Sequence, residues 1–146
     1  ACNMHNIHHI LSEKGQHIWS VNSEQTVYEA VRTMAELGVG ALMVIDDGQL
    51  KGMFSERDYA RKVILEGRAS RETKVHEVMS QNPVTIHSGA TAQEGLALMT
   101  KRRFRHLPVV DDGELLGLVS IGDLVNAVID DQQALIDQLE RYVAGQ

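Results

Sequence analysis

Apolar and polar positions alternate along this chain in two rhythms. Val27, Ala30, Val31, Met34 and Leu37 recur at intervals of three and four, one stripe of a helix, and Ala92, Leu96 and Met99 do the same further on. Residues 41–45 and 50–54 are short, mostly apolar runs, which suits buried strands. Asp46-Asp47-Gly48 splits them, and Asp111-Asp112-Gly113 splits a second pair at 107–110 and 115–119. Aspartate and glycine tolerate the left-handed backbone of a tight hairpin, so each set predicts two antiparallel strands. A short strand is expected before each helix, at 17–21 and at 84–86. Thr26 and Thr91 each stand three residues before a glutamate, the spacing of a capping box. Further helices begin at Ser55 and Ser120, the latter ending one strand-helix-strand-strand-helix unit as the former ends another.

The two units are one pattern written twice. The offset is 65, from Thr26 to Thr91, and it also relates Met34 to Met99, Leu42 to Leu107, Val44 to Val109, Ser55 to Ser120 and Asp58 to Asp123. The register holds without a gap to Ile64 and Ile129. Such duplication sets the architecture. The boundaries read as a lead segment at 1–16 carrying a helix over about 7–13, a first repeat at 17–66, a polar linker at 67–79 with a helical turn at 75–79, a second repeat at 80–130, and a C-terminal helix in 131–146. Asn82-Pro83 marks the entry to the second repeat. One repeat is too small to bury both faces of its sheet. The expected fold is therefore α/β, two β-α-β-β-α repeats packed with pseudo-two-fold symmetry.

Composition narrows the function classes. Aromatic residues make up 4% of the chain, so the core is aliphatic, with Met34, Met43, Met53 and Met99 in its apolar stripes. A net charge of −6 argues against a binder of nucleic-acid backbone. The basic cluster Lys101 to His106 runs against that charge and reads either as a solvated helix end or as a phosphate contact. Cys2 is the sole cysteine, so no disulfide forms within the chain. No apolar run approaches the roughly 18 residues of a membrane span, and no basic-then-apolar leader is visible, so a cytoplasmic location is expected. His5 and His9 share a helix face, but no acidic or cysteine partner is expected nearby, and the segment reads as a frayed, solvated end rather than a metal site. Gly38-Val39-Gly40 precedes a strand and lacks a third glycine, which excludes a dinucleotide fingerprint. Gly117-x-x-Ser120-x-Gly122 is one residue off a nucleophile elbow and has no base placed for it. The C-terminal stripe Ala134, Leu135, Leu139 and Val143 either folds back on its own chain or packs across a dimer.

The segments GMFSERD (52–58) and GLVSIGD (117–123) share Gly-x-x-Ser-x-x-Asp at a strand-to-helix junction. Two readings fit the same residues. In one, serine is the helix N-cap, aspartate suits the positive end of the helix dipole, and glycine permits close backbone approach. In the other, the helix start and serine hydroxyl seat a phosphate, while aspartate accepts from neighbouring ribose hydroxyls.

The duplicated unit, the stretch HLPVVDDGELLGLVS and the two heptads resemble a pair of cystathionine-beta-synthase (CBS) domains, a Bateman module, over about residues 17–129. The SERDYARKV stretch resembles stand-alone bacterial CBS-pair proteins without an attached enzyme. The resemblance implies a sensor rather than an enzyme, with an adenine nucleotide (AMP foremost, or ADP, ATP or NAD) held between the repeats. It also implies a homodimer and a protein effector that reads the bound state. Carried over by position, one site would use Ser55, Arg57 and Asp58 with Val84, Arg105 and His106. The other would use Ser120 and Asp123 with Trp19, Val39, Gly40 and Ala41. Trp19 could stack on a base, though a tryptophan on an apolar strand is more often core. Arginines surround the first set, which suits phosphate. The second set, with Gly40 and Ala41 in place of Arg105 and His106, would take a less charged ligand, bind more weakly or stay empty.

Overall fold

A computed structural model describes residues 5–14 and 19–145. Cys2 and the first half of the strand expected at 17–21 lie outside them. The chain folds as two units: 19–84 form one, and 5–14 with 85–145 form the other. Helices and strands are mixed in both, as the α/β pattern required.

The first unit is built on a four-stranded sheet in the order β1-β2-β3-β4. Strand β1 (Ser20–Val21) runs parallel to β2 (Ala41–Asp46), β2 pairs antiparallel with β3 (Gln49–Ser55), and β3 pairs antiparallel with β4 (Ser80–Gln81). Asp47 and Gly48 at the hairpin have φ of 51° and 77°, the left-handed pair that the sequence called for. Helix α2 (Val27–Leu37) starts on a complete Thr26–Glu29 capping box. Its buried residues Val27, Ala30 and Met34 pack with Leu42, Val44 and Phe54 of the sheet. Leu37, expected in the stripe, is exposed because α2 ends there. Helix α3 (Glu56–Asp58) runs into a π-helical segment, Tyr59–Ile64, and helix α4 (Val75–Val78) closes the core with Val75 and Val78. The 75–79 turn is thus a core element of this unit.

The second unit repeats the plan with changes. Helix α1 (Ile7–Lys14) buries Ile7, Ile10 and Leu11 and packs against strand β6 (Glu114–Ser120). Helix α5 (Ala92–Arg102), strand β5 (His106–Asp111), β6 and helix α6 (Ile121–Val143) complete it. The strand expected at 84–86 is reduced to a single parallel bridge, Ile86 to Val109. Proline explains the loss. In the first unit the Met43 N–H donates to the Trp19 carbonyl at 3.2 Å. The counterpart of Met43 at the offset of 65 is Pro108, which has no N–H to give. The Ser120 helix and the C-terminal helix, expected as separate elements, are one 23-residue helix, α6.

The ends of α2 and α5 differ in one residue that matters. At both helix ends the chain leaves through a left-handed residue whose N–H bonds back to Met34 or Met99: Gly38 at φ 69° and Arg103 at φ 60°. Glycine takes this conformation freely, whereas a side chain is strained there. Arg103→Gly is expected to stabilise the protein by about 1 kcal/mol. A urea midpoint that rises at constant slope would bear this out, and an unchanged or lowered midpoint would contradict it.

The first aspartate of each Asp-Asp-Gly does more than turn the chain. Asp46 accepts from the Ser23 N–H at 2.9 Å, and Asp111 accepts from the Ser88 N–H at 2.8 Å, Ser23 and Ser88 being repeat counterparts. Serine hydroxyl hydrogen bonds, then the N–H bonds, hold both carboxyls below the usual aspartate range. A carboxyl depressed in the folded state adds stability above its unfolded value, about 4, and loses it as pH falls through the folded value. The Asp46→Asn, Asp111→Asn double variant should therefore melt below wild type at pH 7, with the gap closing towards pH 3. Thermal midpoints across that range test it, and a gap independent of pH refutes it.

Candidate functional site: two strand-to-helix junctions

Each heptad folds into the same junction. In the first unit β3 ends at Ser55, which pairs with Ala41 of β2, and the Glu56 N–H donates to the Gly40 carbonyl at 3.0 Å. Ser55 is extended and caps α3: its hydroxyl accepts the Asp58 N–H at 3.3 Å, and Asp58 Oδ2 accepts the Ser55 N–H at 3.0 Å. In the second unit Ser120 pairs with His106, and the Ile121 N–H donates to the Arg105 carbonyl at 2.9 Å. The Ser120 hydroxyl accepts the Asp123 N–H at 3.1 Å, and Asp123 Oδ2 accepts the Ser120 N–H at 2.8 Å. Both heptads thus make complete capping boxes with aspartate in the usual glutamate place.

The aspartates are set differently beyond the cap. Asp58 is 8% exposed. Its second oxygen, Oδ1, accepts the Ser80 hydroxyl of β4 at 3.0 Å and pairs with Lys62 Nζ at 3.2 Å. At the offset of 65 the counterpart of Lys62 is Ala127, so the second repeat has no lysine at this position.

Within a unit, the structure brings Ser55 and Asp58 beside Gly40 and Ala41, and Ser120 and Asp123 beside Arg105 and His106. Both expected sets draw on residues of both units. Arg57 and Arg105 are exposed, and Val39, Gly40, His106 and Val84 are half-buried, Val84 outside any strand. Ala41 is buried. Trp19 is 38% exposed rather than core, because β1 is an edge strand and Trp19 precedes it. Lys101 and Arg102 lie in the last turn of α5, where cations suit the helix dipole.

A groove of about 490 Å³ opens beside the first junction, lined by Val31, Met34, Ala35, Gly38, Val39, Gly40, Glu56 and Tyr59. Val39 and Gly40, expected beside Ser120 and Asp123, line this groove of the first unit, and its apolar wall and Glu56 were not among the expected residues. By the offset of 65, Gly38, Gly40 and Glu56 correspond to Arg103, Arg105 and Ile121, so the second junction exchanges a carboxylate for two guanidinium groups. Lys62 was readable as a partner of Asp58 one helical turn on, but Ser80, 22 residues away, was not. The histidine segment also differs from expectation: His9 has Glu13 at 3.2 Å, and His5 has Asp131 at 2.6 Å.

A family model described as the CBS domain matches the chain twice, over residues 7–65 and 75–130. A CBS domain-containing protein of Arabidopsis thaliana mitochondria, CBSX3, is 38% identical over 139 residues, which is 92% of this chain and 67% of the relative. The CBS domain-containing protein YhcV of Bacillus subtilis is 38% identical over 72% of this chain and 74% of its own length. Among solved structures, a protein with CBS domains from Burkholderia ambifaria MC40-6 superimposes with a TM-score of 0.83 at 45% identity, covering 88% of this chain and 96% of that one.

Proposed function

The chain belongs to the CBS-domain family as a tandem pair, and on that premise we propose that it is a non-enzymatic sensor of adenosine-containing nucleotides that signals to a protein partner by changing conformation. The groove of about 490 Å³ beside the first heptad carries the reading. Its size falls in the range of small-ligand sites, and its apolar wall suits a base. Glu56 at its edge disfavours phosphate there and favours the uncharged end of a nucleoside. In the second unit Arg103 and Arg105, the counterparts of Gly38 and Gly40, supply the cations that phosphate needs. The Ser and Asp of each cap are polar groups already fixed in place, so a ribose or phosphate meets a preorganised junction. The Burkholderia ambifaria relative, named as a candidate signal-transduction protein, is consistent with this role. Adenine nucleotides, AMP first, are the proposed ligands.

Signalling needs two states with different affinity for the ligand, and the differential affinity limits the shift. The exposed apolar residues Val125, Ile129, Leu135, Ile136 and Leu139 of α6 favour self-association as part of that device. Among the described residues no helix is long and apolar enough to cross a membrane.

Calorimetric titration of ligand-stripped protein with AMP, ATP and NAD tests the proposal, with Asp58→Ala and Asp123→Ala alongside and folding checked by circular dichroism. Binding of one ligand, lost in one variant that remains folded, supports it. Absence of heat with all three, in folded and empty protein, overturns it in favour of a protein-interaction module with a purely structural junction.

A further inference from the structure

The second unit carries a cluster of ligating side chains that the nucleotide reading does not use. We propose that His5, His9 and Glu13, backed by Asp131, form a site for one divalent transition-metal cation of the zinc class. One ligand atom from each of His5, His9 and Glu13 lies within 4.8 Å of the others. Positions 5, 9 and 13 recur at four, which places them on one face where the chain enters and follows α1. The two imidazole rings stand edge to face with centroids 4.9 Å apart. His9 Nε2 is 3.2 Å from Glu13 Oε1.

Asp131 makes this more than a surface trio. From α6, 126 residues away, its two oxygens accept the His5 N–H at 3.1 and 3.0 Å, and Oδ1 meets His5 Nδ1 at 2.6 Å. With Nδ1 engaged by the carboxylate, Nε2 is the nitrogen left to bind a metal. A carboxylate behind an imidazole is how proteins commonly fix the tautomer and raise the basicity of a metal-binding histidine. The His5–Asp131 pair is mostly buried, whereas His9 and Glu13 are exposed, so a cation reaches the site from solvent and keeps a position for water. Two imidazoles and one carboxylate suit zinc, cobalt or nickel, whereas magnesium and calcium want oxygen ligands throughout. A bound cation would brace the start of α1, which the His5–Asp131 contact ties to α6.

Cobalt(II) tests the assignment, because its visible absorption reports coordination directly. Tag-free protein stripped with chelator is titrated with cobalt and then with zinc as competitor, in the absence of nucleotide. One equivalent of cobalt per chain is expected, displaced by zinc. The His9→Ala, Glu13→Ala double variant should weaken binding at least ~10-fold, and Asp131→Asn about 10-fold. His8→Ala and Cys2→Ser should leave it unchanged. Circular dichroism without metal confirms that each variant folds. No stoichiometric spectrum, equal affinity in the double variant, or loss of binding in Cys2→Ser would each overturn the proposal. Because no nucleotide is present, none of these results bears on the sensor reading.

Discussion

Gly52→Ala is expected to destabilise the protein by about 3 kcal/mol, a large loss for one added methyl group. A Cβ at this position would stand 2.6 Å from the Ser80 carbonyl oxygen and 2.9 Å from Met79 Sδ. The oxygen is backbone, held in β4 by the pairing of Gly52 with Gln81 and Met53 with Ser80. It cannot retreat without breaking that ladder, and Ser80 also donates its hydroxyl to Asp58. The heptad glycine of the second repeat makes the comparison. A Cβ at Gly117 would meet Leu11 Cδ2 at 3.0 Å, the far end of a side chain that can turn aside. Gly117→Ala is therefore expected to cost about 1 kcal/mol. Urea unfolding of both variants gives the difference, and equal losses would refute the assignment of the first glycine to strand approach.

That contrast marks the limit of what the sequence discloses. The 65-residue offset, the two Asp-Asp-Gly hairpins and the threonine caps were legible because each rests on local chemistry: a left-handed pair, a hydroxyl three residues before an acid, an apolar stripe. The same local chemistry gave the serine caps of α3 and α6. What was not legible is the non-local part. Nothing near Gly52 in the chain announces that β4 will lie beside it, and nothing near His5 announces Asp131. The continuous α6 could have been read, since no glycine or proline interrupts residues 123–144. The shortened strand at Ile86 could also have been read from Pro108 in the neighbouring run. The repeat keeps its Asp-Asp-Gly hairpins and Ser-x-x-Asp caps, yet at the left-handed helix exits it sets Gly38 against Arg103. Gly52 and Gly117 share a heptad position, but only Gly52 has the backbone of a neighbouring strand against it.

Asp58→Ala is expected to cost about 3 kcal/mol of stability, comparable to the Gly52 effect and from the same corner of the fold. The nearly buried carboxylate accepts the Ser55 N–H, the Ser55 hydroxyl and the Ser80 hydroxyl and pairs with Lys62. Asp58→Ala removes the N3 half of the capping box while the Ser55 N-cap stays, a loss of under about 1 kcal/mol. The remainder comes from the half-buried Ser55 N–H and Ser80 hydroxyl left without an acceptor and from the lost Lys62 pair, at about 1 kcal/mol for each hydrogen bond. Asp58→Asn keeps the shape but turns an amide NH₂ towards one set of donors, and about 2 kcal/mol is expected. Lys62→Met removes only a partly exposed ion pair and should cost less than about 1 kcal/mol. The order Ala, Asn, then Lys62→Met is the result to look for in urea unfolding. An Asp58→Ala loss no larger than that of Lys62→Met would remove Asp58 from the role of anchor. On the proposed sensor reading, the same network bears on ligand binding. A ribose that draws on Asp58 Oδ1 must displace the lysine and the Ser80 hydroxyl. Lys62→Met should then raise nucleotide affinity at the first junction while slightly lowering stability. A side chain that only held the fold together would lower both.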